Sequence, residues 1–358
     1  MTSDPILPGR LGDPSMTLDS DPRTDPRLIA VLAPLGMAGP TEPLSVDGDS
    51  GLDALLEYAQ VAEEDFVPLL AEWSAQAPPI EGVESRTEII PGVDDNDIAL
   101  YIHGPAQAVG SLPAVVHLHG GGMAILEASD RNFVRWRDEL AATGLVVVGV
   151  EFRNTGGKLG SYPFPAGLND CASGLQWTHA HRDELGISKI VVSGESGGGN
   201  LALAVTLKAK QDGFLDAIDG VYAQCPYILG RYAEAEKDPA LPSLWENEGY
   251  YIHANMLSAL ARLYSPDGSN DSNPLAWPYH ASMSDLEGLP PHVISVNELD
   301  VLRDEGLAYF RKLLAAGVPA ASRTVNGTVH GADCLHRDVL PDVYLATVHD
   351  IHAFACLL

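Results

Sequence analysis

A serine flanked by glycines lies where a strand is expected to turn into a helix. The segment Gly-Glu-Ser-Gly-Gly at 194–198 follows the apolar run 190–193 and precedes a helical pattern that starts near Asn200. Such a turn holds the serine in a strained conformation, and small neighbours are needed because strand and helix pass closely on either side. The motif also arises by chance, but its setting predicts a nucleophile elbow with Ser196 as the attacking residue.

A run of three glycines follows the expected strand 114–118. His119 and the glycines 120–122 leave backbone N–H groups unshielded, so these groups can point at a developing negative oxygen. The pattern predicts an oxyanion-hole loop braced by His119. The alternatives are a flexible turn, a metal site at His117 and His119, or a phosphate cradle, although the P-loop lysine is absent.

A serine nucleophile needs a base and an orienting acid, and in this architecture the acid precedes the histidine along the chain. The run 292–296 leads into Glu298 and Asp300, which places both carboxylates at the carboxyl end of a strand, where α/β sites lie. Glu298 and Asp300 both satisfy the required order, in which the acid precedes the histidine. Asp304 is expected in the first turn of the next helix, as a capping or first-turn carboxylate.

The expected base is His330, on a glycine-containing loop beyond the last β-rich run. Three other histidines compete with it. His336 lies further from the strand end, and His349 and His352 stand in helical sequence. Position along the chain therefore favours His330.

These residues require a framework of alternating strands and helices. Eight β-rich runs are expected at 87–91, 98–102, 114–118, 144–150, 190–193, 220–223, 292–296 and 323–325. Helical stretches include 130–143, 166–184, 199–212, 304–316 and 339–355. The first two runs suggest a hairpin, and nearly unbroken apolar strands between helices indicate a parallel sheet covered on both faces. The predicted fold class is α/β, with a mostly parallel eight-stranded sheet.

One connection is too long for a plain loop. About seventy residues separate Tyr222 from the run at 292, and a structureless loop of that size is uncommon in a compact domain. We predict that 228–285 is an inserted helical cap that packs with an N-terminal cap segment, 1–75, whose clearest helix is 51–74. The α/β core then comprises 76–227 and 286–358.

Composition excludes several classes of partner. The chain has 358 residues with 21 Lys and Arg against 49 Asp and Glu, a net charge of −28. A field of that sign repels nucleic acid and anionic lipid. No apolar stretch approaches the roughly 20 residues that span a bilayer, and the N-terminus lacks a signal-peptide pattern. We expect a cytoplasmic protein without nucleic-acid or membrane partners.

The four cysteines are widely spaced and form no CxxC pair, so a zinc site has no support and a reducing compartment suits them. An exposed last strand and the apolar segment 340–358 favour a homodimer.

Four motifs together resemble the bacterial hormone-sensitive-lipase-like carboxylesterases of the α/β-hydrolase superfamily. They are the His-Gly-Gly-Gly loop, the Gly-Glu-Ser-Gly-Gly elbow, the segment 300–306 and the pair His330-Gly331. The resemblance covers most of the chain and implies an α/β-hydrolase fold with a cap. It also implies the nucleophile Ser196, the base His330, the orienting acid Asp300, and N–H donors from Gly121, Gly122 and Gly197.

The expected activity is hydrolysis of short to medium acyl esters through an acyl-enzyme, with no metal or organic cofactor. Met123, directly after the oxyanion glycines, is expected to touch the substrate. The alternatives are an amidase, a lactonase or a dehydratase on the same scaffold, or a non-catalytic small-molecule receptor. Many family members have Asp-Tyr-Arg-Leu-Ala-Pro-Glu where this chain has Glu-Phe-Arg-Asn at 151–154, so no relative's substrate is carried over.

Overall fold

A single sheet of eight strands organises the computed structural model, which describes residues 9–42, 44–233 and 237–358. Its strand order is β1-β2-β4-β3-β5-β6-β7-β8. β1 pairs with β2 and β2 with β4 in antiparallel fashion, whereas every later pairing is parallel. The predicted α/β class, hairpin start and mostly parallel sheet are therefore confirmed.

The strands are β1 (Val83–Pro91), β2 (Asp97–Pro105), β3 (Leu112–Leu118), β4 (Val146–Val150), β5 (Ile187–Glu195), β6 (Gly220–Gln224), β7 (His292–Asn297) and β8 (Ala320–Val325). The helices are α1 (Pro26–Leu32), α2 (Leu52–Glu72), α3 (Arg131–Ala142), α4 (Ala166–Ala180), α5 (Gly197–Asp212), α6 (Ser243–Glu246), α7 (Ala254–Tyr264), α8 (Met283–Leu286), α9 (Arg303–Ala315), α10 (Ala332–Leu335) and α11 (Pro341–Leu357).

The unbroken apolar strands follow from a sheet that is covered on both faces. Side chains alternate across a strand, so neighbours such as Val115 and Val116 of β3 face opposite layers. Val115 belongs to a buried cluster with Trp136 of α3 and Ile351 of α11. Val116 belongs to the larger core, which also contains residues of α4 and α5. Both faces exclude water, and a polar residue on either face would lose hydration.

Several helix boundaries differ from the sequence expectation, among them the end of α4 and the start of α5. α4 ends at Ala180 rather than 184, since the His181 ring stacks on Trp177 at 4.1 Å and its Nδ1 bonds the Trp177 carbonyl at 2.8 Å. α5 begins at Gly197 rather than 199. Glycines favour turns in sequence, but here they form the first turn of a buried helix.

The segment before the sheet packs on the inserted connection between β6 and β7. α2 contacts α7, the Gly48 N–H donates to Ser258 Oγ at 3.2 Å, and Asn255 Nδ2 donates to the Leu44 carbonyl at 3.3 Å. Leu28 of α1 is fully buried, so part of the Pro-rich beginning also joins the core. Within the described ranges, no helix is both long and apolar enough to cross a membrane.

Candidate active site

Ser196 occupies the sharp turn between β5 and α5. Its backbone has φ 56° and ψ −117°, a conformation that L-residues rarely adopt, and its N–H donates to the Gln224 carbonyl at 2.9 Å. A Cβ on Gly198 would overlap the Leu118 carbonyl oxygen, so only glycine lets α5 approach β3 this closely. The elbow thus presents Ser196 at the carboxyl end of the sheet.

His330 and Asp300 form a buried pair at the same end of the sheet. His330 Nδ1 lies 2.8 Å from Asp300 Oδ2, and Asp300 is fully buried. The Leu302 N–H donates to the other carboxylate oxygen at 3.0 Å, which fixes the carboxylate plane. Burial opposes a charged imidazole, but the adjacent carboxylate outweighs it and raises the pKa of His330 well above 6.5. The pairing leaves Nε2 as the nitrogen that can accept a proton.

The other candidate acids have different partners. Glu298 Oε1 lies 3.3 Å from Arg23 Nη1, and Asp304 Oδ2 accepts the Ser243 N–H at 2.7 Å in the first turn of α9. Of the three carboxylates, only Asp300 is hydrogen-bonded to His330 in the described structure.

The competing histidines also lie elsewhere. His336 is buried and stacks on Trp73 with ring centres 3.9 Å apart. His349 and His352 lie in α11. Among the histidines that the sequence left in competition, His330 is the one that lines the same cavity as Ser196.

The glycine loop carries unpaired N–H groups beside the elbow. Within the described part of the chain, the N–H groups of Gly121, Gly122 and Met123 have no protein acceptor. A Cβ built on Gly197 would lie 2.7 Å from the Gly122 nitrogen and 2.6 Å from the Met123 nitrogen. The Gly197 N–H itself is in the first turn of α5, where helical N–H groups lack intrahelical partners. The nitrogens of Gly122 and Met123 therefore lie close to Gly197, the neighbour of Ser196, and this arrangement is compatible with an oxyanion site.

Glu195 joins the elbow to this loop. Its Oε1 accepts the Gly120 N–H at 2.8 Å, and its Oε2 lies 3.0 Å from His117 Nε2. One buried carboxylate therefore holds the nucleophile turn and the glycine loop in a fixed relation. This role of Glu195 was not predicted from the sequence. The feature that could have indicated it is an acidic residue between glycine and serine, in a motif that otherwise needs only small neighbours.

The two histidines considered as metal ligands are engaged with protein groups. His119 Nδ1 donates to the Gly120 carbonyl at 2.7 Å, and its ring stacks on Phe152 at 4.2 Å. Burial lowers the pKa of His119 to about 3, so the ring is neutral. His117 is bonded to Glu195. These contacts favour a role for both histidines in bracing the glycine loop rather than in binding a metal.

An apolar cavity lies over Ser196. Its walls include Phe66 and Leu70 of α2 and Met256 and Leu260 of α7, together with His330. Met123 is buried and is not among the residues that line this cavity, although its nitrogen lies close to Gly197. The expectation that the Met123 side chain touches substrate stays a prediction.

The carboxylate of Glu63 ties α2 to the region behind the glycine loop. It accepts the Leu126 N–H and the Lys158 N–H, both at 2.6 Å. Glu63 is almost fully buried, and its two acceptor bonds replace the lost hydration. The helical pattern of 51–74 places Glu63 on a helix, but its partners lie more than sixty positions away and are not encoded in that pattern.

Blocking the glycine loop should slow catalysis. Gly122 has φ +63°, which strains a valine backbone, and a Cβ there would lie 2.7 Å from Leu260 Cδ1, so Gly122→Val must displace Leu260, the loop or both. We expect kcat to fall by about 10²–10³, as when an oxyanion donor is lost. Gly213→Val is the matched control, because Gly213 has φ +81° but nothing within 4 Å of its Cβ position. Near-full activity in Gly122→Val would contradict the oxyanion assignment.

Removing the carboxylate of Glu195 tests its positioning role. A hydrogen bond to a charged group contributes about 1.5–3 kcal/mol, so Glu195→Ala should lower kcat by about 10- to 100-fold if that energy is lost in the transition state. KM should change little, because both carboxylate oxygens of Glu195 are already engaged by the Gly120 N–H and by His117. Glu195→Gln keeps an acceptor for the Gly120 N–H and should recover part of the rate. An unchanged kcat in Glu195→Ala would refute the role.

Comparison with known proteins adds independent information. Residues 115–333 match a family described as having the alpha/beta hydrolase fold. The chain is 30% identical to carboxylesterase NlhH of Mycobacterium tuberculosis over 253 residues, which cover 70% of this chain and 75% of that protein. It is 28% identical to an arylesterase of Saccharolobus solfataricus over 280 residues, or 77% of this chain and 86% of that one.

Solved structures give a fuller match. The structure of brefeldin A esterase, described as a bacterial homologue of human hormone-sensitive lipase, is 45% identical, with a TM-score of 0.92 and 97% of each chain covered. Esterase Est22 is 37% identical, with a TM-score of 0.84, covering 94% of this chain and 98% of that one. Both similarities extend over the sheet and over the segments that lie above it.

Proposed function

Because the chain belongs to the α/β-hydrolase family, among its hormone-sensitive-lipase-like carboxylesterases, we propose that it hydrolyses short to medium acyl esters through an acyl-enzyme on Ser196. The protein is a carboxylic ester hydrolase. Beyond this ester hydrolase activity, we propose the roles of individual residues and the size of the acyl group. Its substrate is a small-molecule ester.

In the first half-reaction, Ser196 Oγ attacks the carbonyl carbon while His330 Nε2 takes the hydroxyl proton. The N–H groups of Gly121, Gly122 and Gly197 stabilise the negative oxygen of the tetrahedral intermediate. The ester C–O bond then breaks, and the alcohol leaves with the proton from His330. Asp300 keeps the imidazole in the required tautomer and stabilises its charged form.

In the second half-reaction, His330 takes a proton from a water molecule, and the resulting hydroxide attacks the acyl-enzyme. The acid leaves when the bond to Ser196 Oγ breaks, and His330 returns the proton to Ser196. All proton transfers use His330, so the scheme requires no cofactor.

The observation that carries this proposal is the 2.8 Å bond from His330 Nδ1 to the buried Asp300 carboxylate, beside the cavity that Ser196 also lines. A receptor without activity needs no such pair, since burying a carboxylate is costly unless it serves a partner. Amidase, lactonase and dehydratase activities use similar groups. Rates on p-nitrophenyl esters, with anilide and lactone analogues in parallel, separate these activities.

Labelling with an organophosphate, followed by peptide mapping, tests the nucleophile. The adduct should lie on Ser196, and hydrolysis should stop in proportion to its formation. An adduct on another residue, with activity lost at the same rate, would contradict the proposal.

The cavity predicts a preference for short acyl chains. α2 and α7 cover Ser196 with apolar side chains, so a cap of this kind limits the length of the acyl group it admits. We expect better turnover of p-nitrophenyl esters with about two to eight acyl carbons than of palmitate, and no rise in activity at a lipid–water interface. Initial rates from acetate to palmitate measure the profile.

Two variants locate the pocket in the same assay. Leu260→Ala removes a side chain that lines the cavity beside Gly122, so it should shift the optimum toward longer chains. Met123→Ala tests the expectation that this side chain touches substrate. A preference for palmitate in the parent enzyme, or an identical profile in Leu260→Ala, would show that acyl chains bind elsewhere.

We also propose that 1–75 and 228–285 form one cap on a core made of 76–227 and 286–358. The contact of α2 with α7 supports this division. The homodimer is supported by β8, which is an edge strand of the sheet, and by the exposed Leu357 at the end of α11. The cytoplasmic location stays a prediction.

A further inference from the structure

Cys225 lies beside the catalytic pair and has no part in the mechanism above. It directly follows β6, lines the same cavity as Ser196, and is 1% exposed. Its backbone has φ +33°, and its N–H donates to the Ser295 carbonyl of β7 at 2.7 Å. The sheet therefore holds this thiol in place, and a core position alone does not require a cysteine facing the cavity.

Three different donor atoms meet at this point. The Cys225 sulfur, a ring nitrogen of His330 and a carboxylate oxygen of Asp300 all lie within 4.8 Å of one another, and all three residues are buried. Sulfur, imidazole and carboxylate are the side-chain ligands that zinc-like cations take in proteins. No other such group of His, Cys, Asp or Glu occurs in the part of the chain that the structure describes.

The spacing suits a soft divalent cation after a small movement. Tetrahedral coordination at zinc bond lengths separates a sulfur from a nitrogen ligand by roughly 3.6 Å. The sulfur therefore needs to approach by about 1 Å at most, and by less for a larger soft cation such as Cd²⁺. His330 Nδ1 and Asp300 Oδ2, which are 2.8 Å apart, must separate by roughly 0.6 Å to admit a zinc ion between them. The cavity offers an approach, since Cys225 and His330 both line it.

The charges also balance. When a cation binds, the thiol releases its proton to solvent, and the resulting thiolate and the Asp300 carboxylate together offset a charge of +2. A soft cation displaces the thiol proton readily, because it prefers sulfur to oxygen ligands.

We propose that Cys225, His330 and Asp300 form an inhibitory site for a soft divalent cation of the Zn²⁺ or Cd²⁺ type. Coordination at Nδ1, the nitrogen that faces Asp300, replaces the hydrogen bond to Asp300 and leaves the ring proton on Nε2. Nε2 then has no lone pair to accept the proton of Ser196, so the base is lost. The inhibition rests on the proposed function, whereas cation binding does not.

Binding is measured first, without any substrate. The parent for this test is the full chain carrying Cys356→Ser, because the exposed Cys356 lies 3.5 Å from His352 and could bind cations at the surface. Calorimetric titration with Cd²⁺, and the near-ultraviolet absorbance of the cadmium–thiolate bond, should give one site per chain. Cys225→Ala should weaken it at least tenfold. Cys171→Ala, which removes a buried thiol of α4, should leave it unchanged.

Inhibition is measured second. Cd²⁺ and Zn²⁺ should suppress p-nitrophenyl ester hydrolysis, EDTA should restore it, and Mg²⁺ should have no effect, because Mg²⁺ prefers oxygen ligands. In Cys225→Ala the cation concentration for half inhibition, relative to that variant's own rate, should rise at least tenfold. Cys225→Ser is a second variant that nearly preserves the side-chain volume, and circular dichroism checks the folding of both.

The outcomes separate the two proposals. Cadmium binding that is equally tight in Cys225→Ala and Cys225→Ser overturns the site. Binding that depends on Cys225 but leaves ester hydrolysis untouched overturns the inhibitory role. If the chain hydrolyses no ester, the proposed function fails, while the titration still decides whether the cation site exists.

Discussion

Replacing Ser196 by alanine is expected to lower kcat by about 10⁴–10⁶-fold while the protein stays folded. The substitution removes the only atom that forms the acyl-enzyme, so the remaining rate comes from water attacking a substrate held in the oxyanion site. His330→Ala should cost about as much, because residues that act as a unit do not contribute additively. Steady-state rates on p-nitrophenyl acetate, with the pre-steady-state burst of p-nitrophenol, measure both variants.

Matched controls distinguish chemistry from folding. Ser193→Ala removes a buried hydroxyl on the same strand that has no hydrogen-bond partner, so it should keep most of the activity. His349→Ala removes an exposed histidine of α11 and should do the same. A burst of normal size in Ser196→Ala would refute the assignment of the nucleophile.

The second largest effect should come from Asp300→Asn, with kcat lower by about 10⁴. Asparagine keeps the shape, but its amide can donate to Nδ1 and so stabilise the tautomer in which Nε2 carries the proton. The imidazole then cannot accept the proton of Ser196. The measurement is kcat at saturating substrate, with thermal unfolding as the check on stability.

The pH profile of the same variant gives a second readout. His330 works in its neutral form, so activity is lost as pH falls through its pKa. The Asp300 carboxylate contributes to raising that pKa, so the residual activity of Asp300→Asn should persist to lower pH than that of the parent. If Asp300 had only a structural role, the substitution would lower the rate without shifting the acid limb of the pH profile.

Glu298→Gln and Asp304→Asn are the comparison variants. Their carboxylates are bonded to Arg23 and Ser243, respectively, rather than to His330, so both should retain most of the activity. If either of them lost the activity while Asp300→Asn kept it, the orienting acid would have been assigned to the wrong residue.

Much of the fold is encoded in local sequence patterns. Apolar runs such as 190–193 and 220–223 predict buried parallel strands because each run is short, unbroken and bounded by helical sequence. All eight expected runs overlap a strand of the sheet. Periodicity depends only on residues that are neighbours along the chain, so it can be recognised without the tertiary structure.

The sequence by itself also determined the candidates for the site. The glycines around Ser196, the three glycines after His119 and the order of acid and histidine are local or ordinal features. They narrowed the acid to Glu298 or Asp300 on chain order, and the family resemblance favoured Asp300. Glu298 and Asp300 stand two positions apart at the end of one strand, and both precede the histidine, so chain order does not distinguish them.

Only the tertiary structure decided which groups meet. Asp300 rather than Glu298 reaches His330, Glu195 clamps the loop at Gly120, and Cys225 lies beside the imidazole. Each of the two hydrogen-bonded contacts joins residues thirty or more positions apart, and the cysteine is still further from its histidine along the chain. Such pairs depend on how strands are ordered in the sheet and on the direction of each side chain, which composition and periodicity leave open.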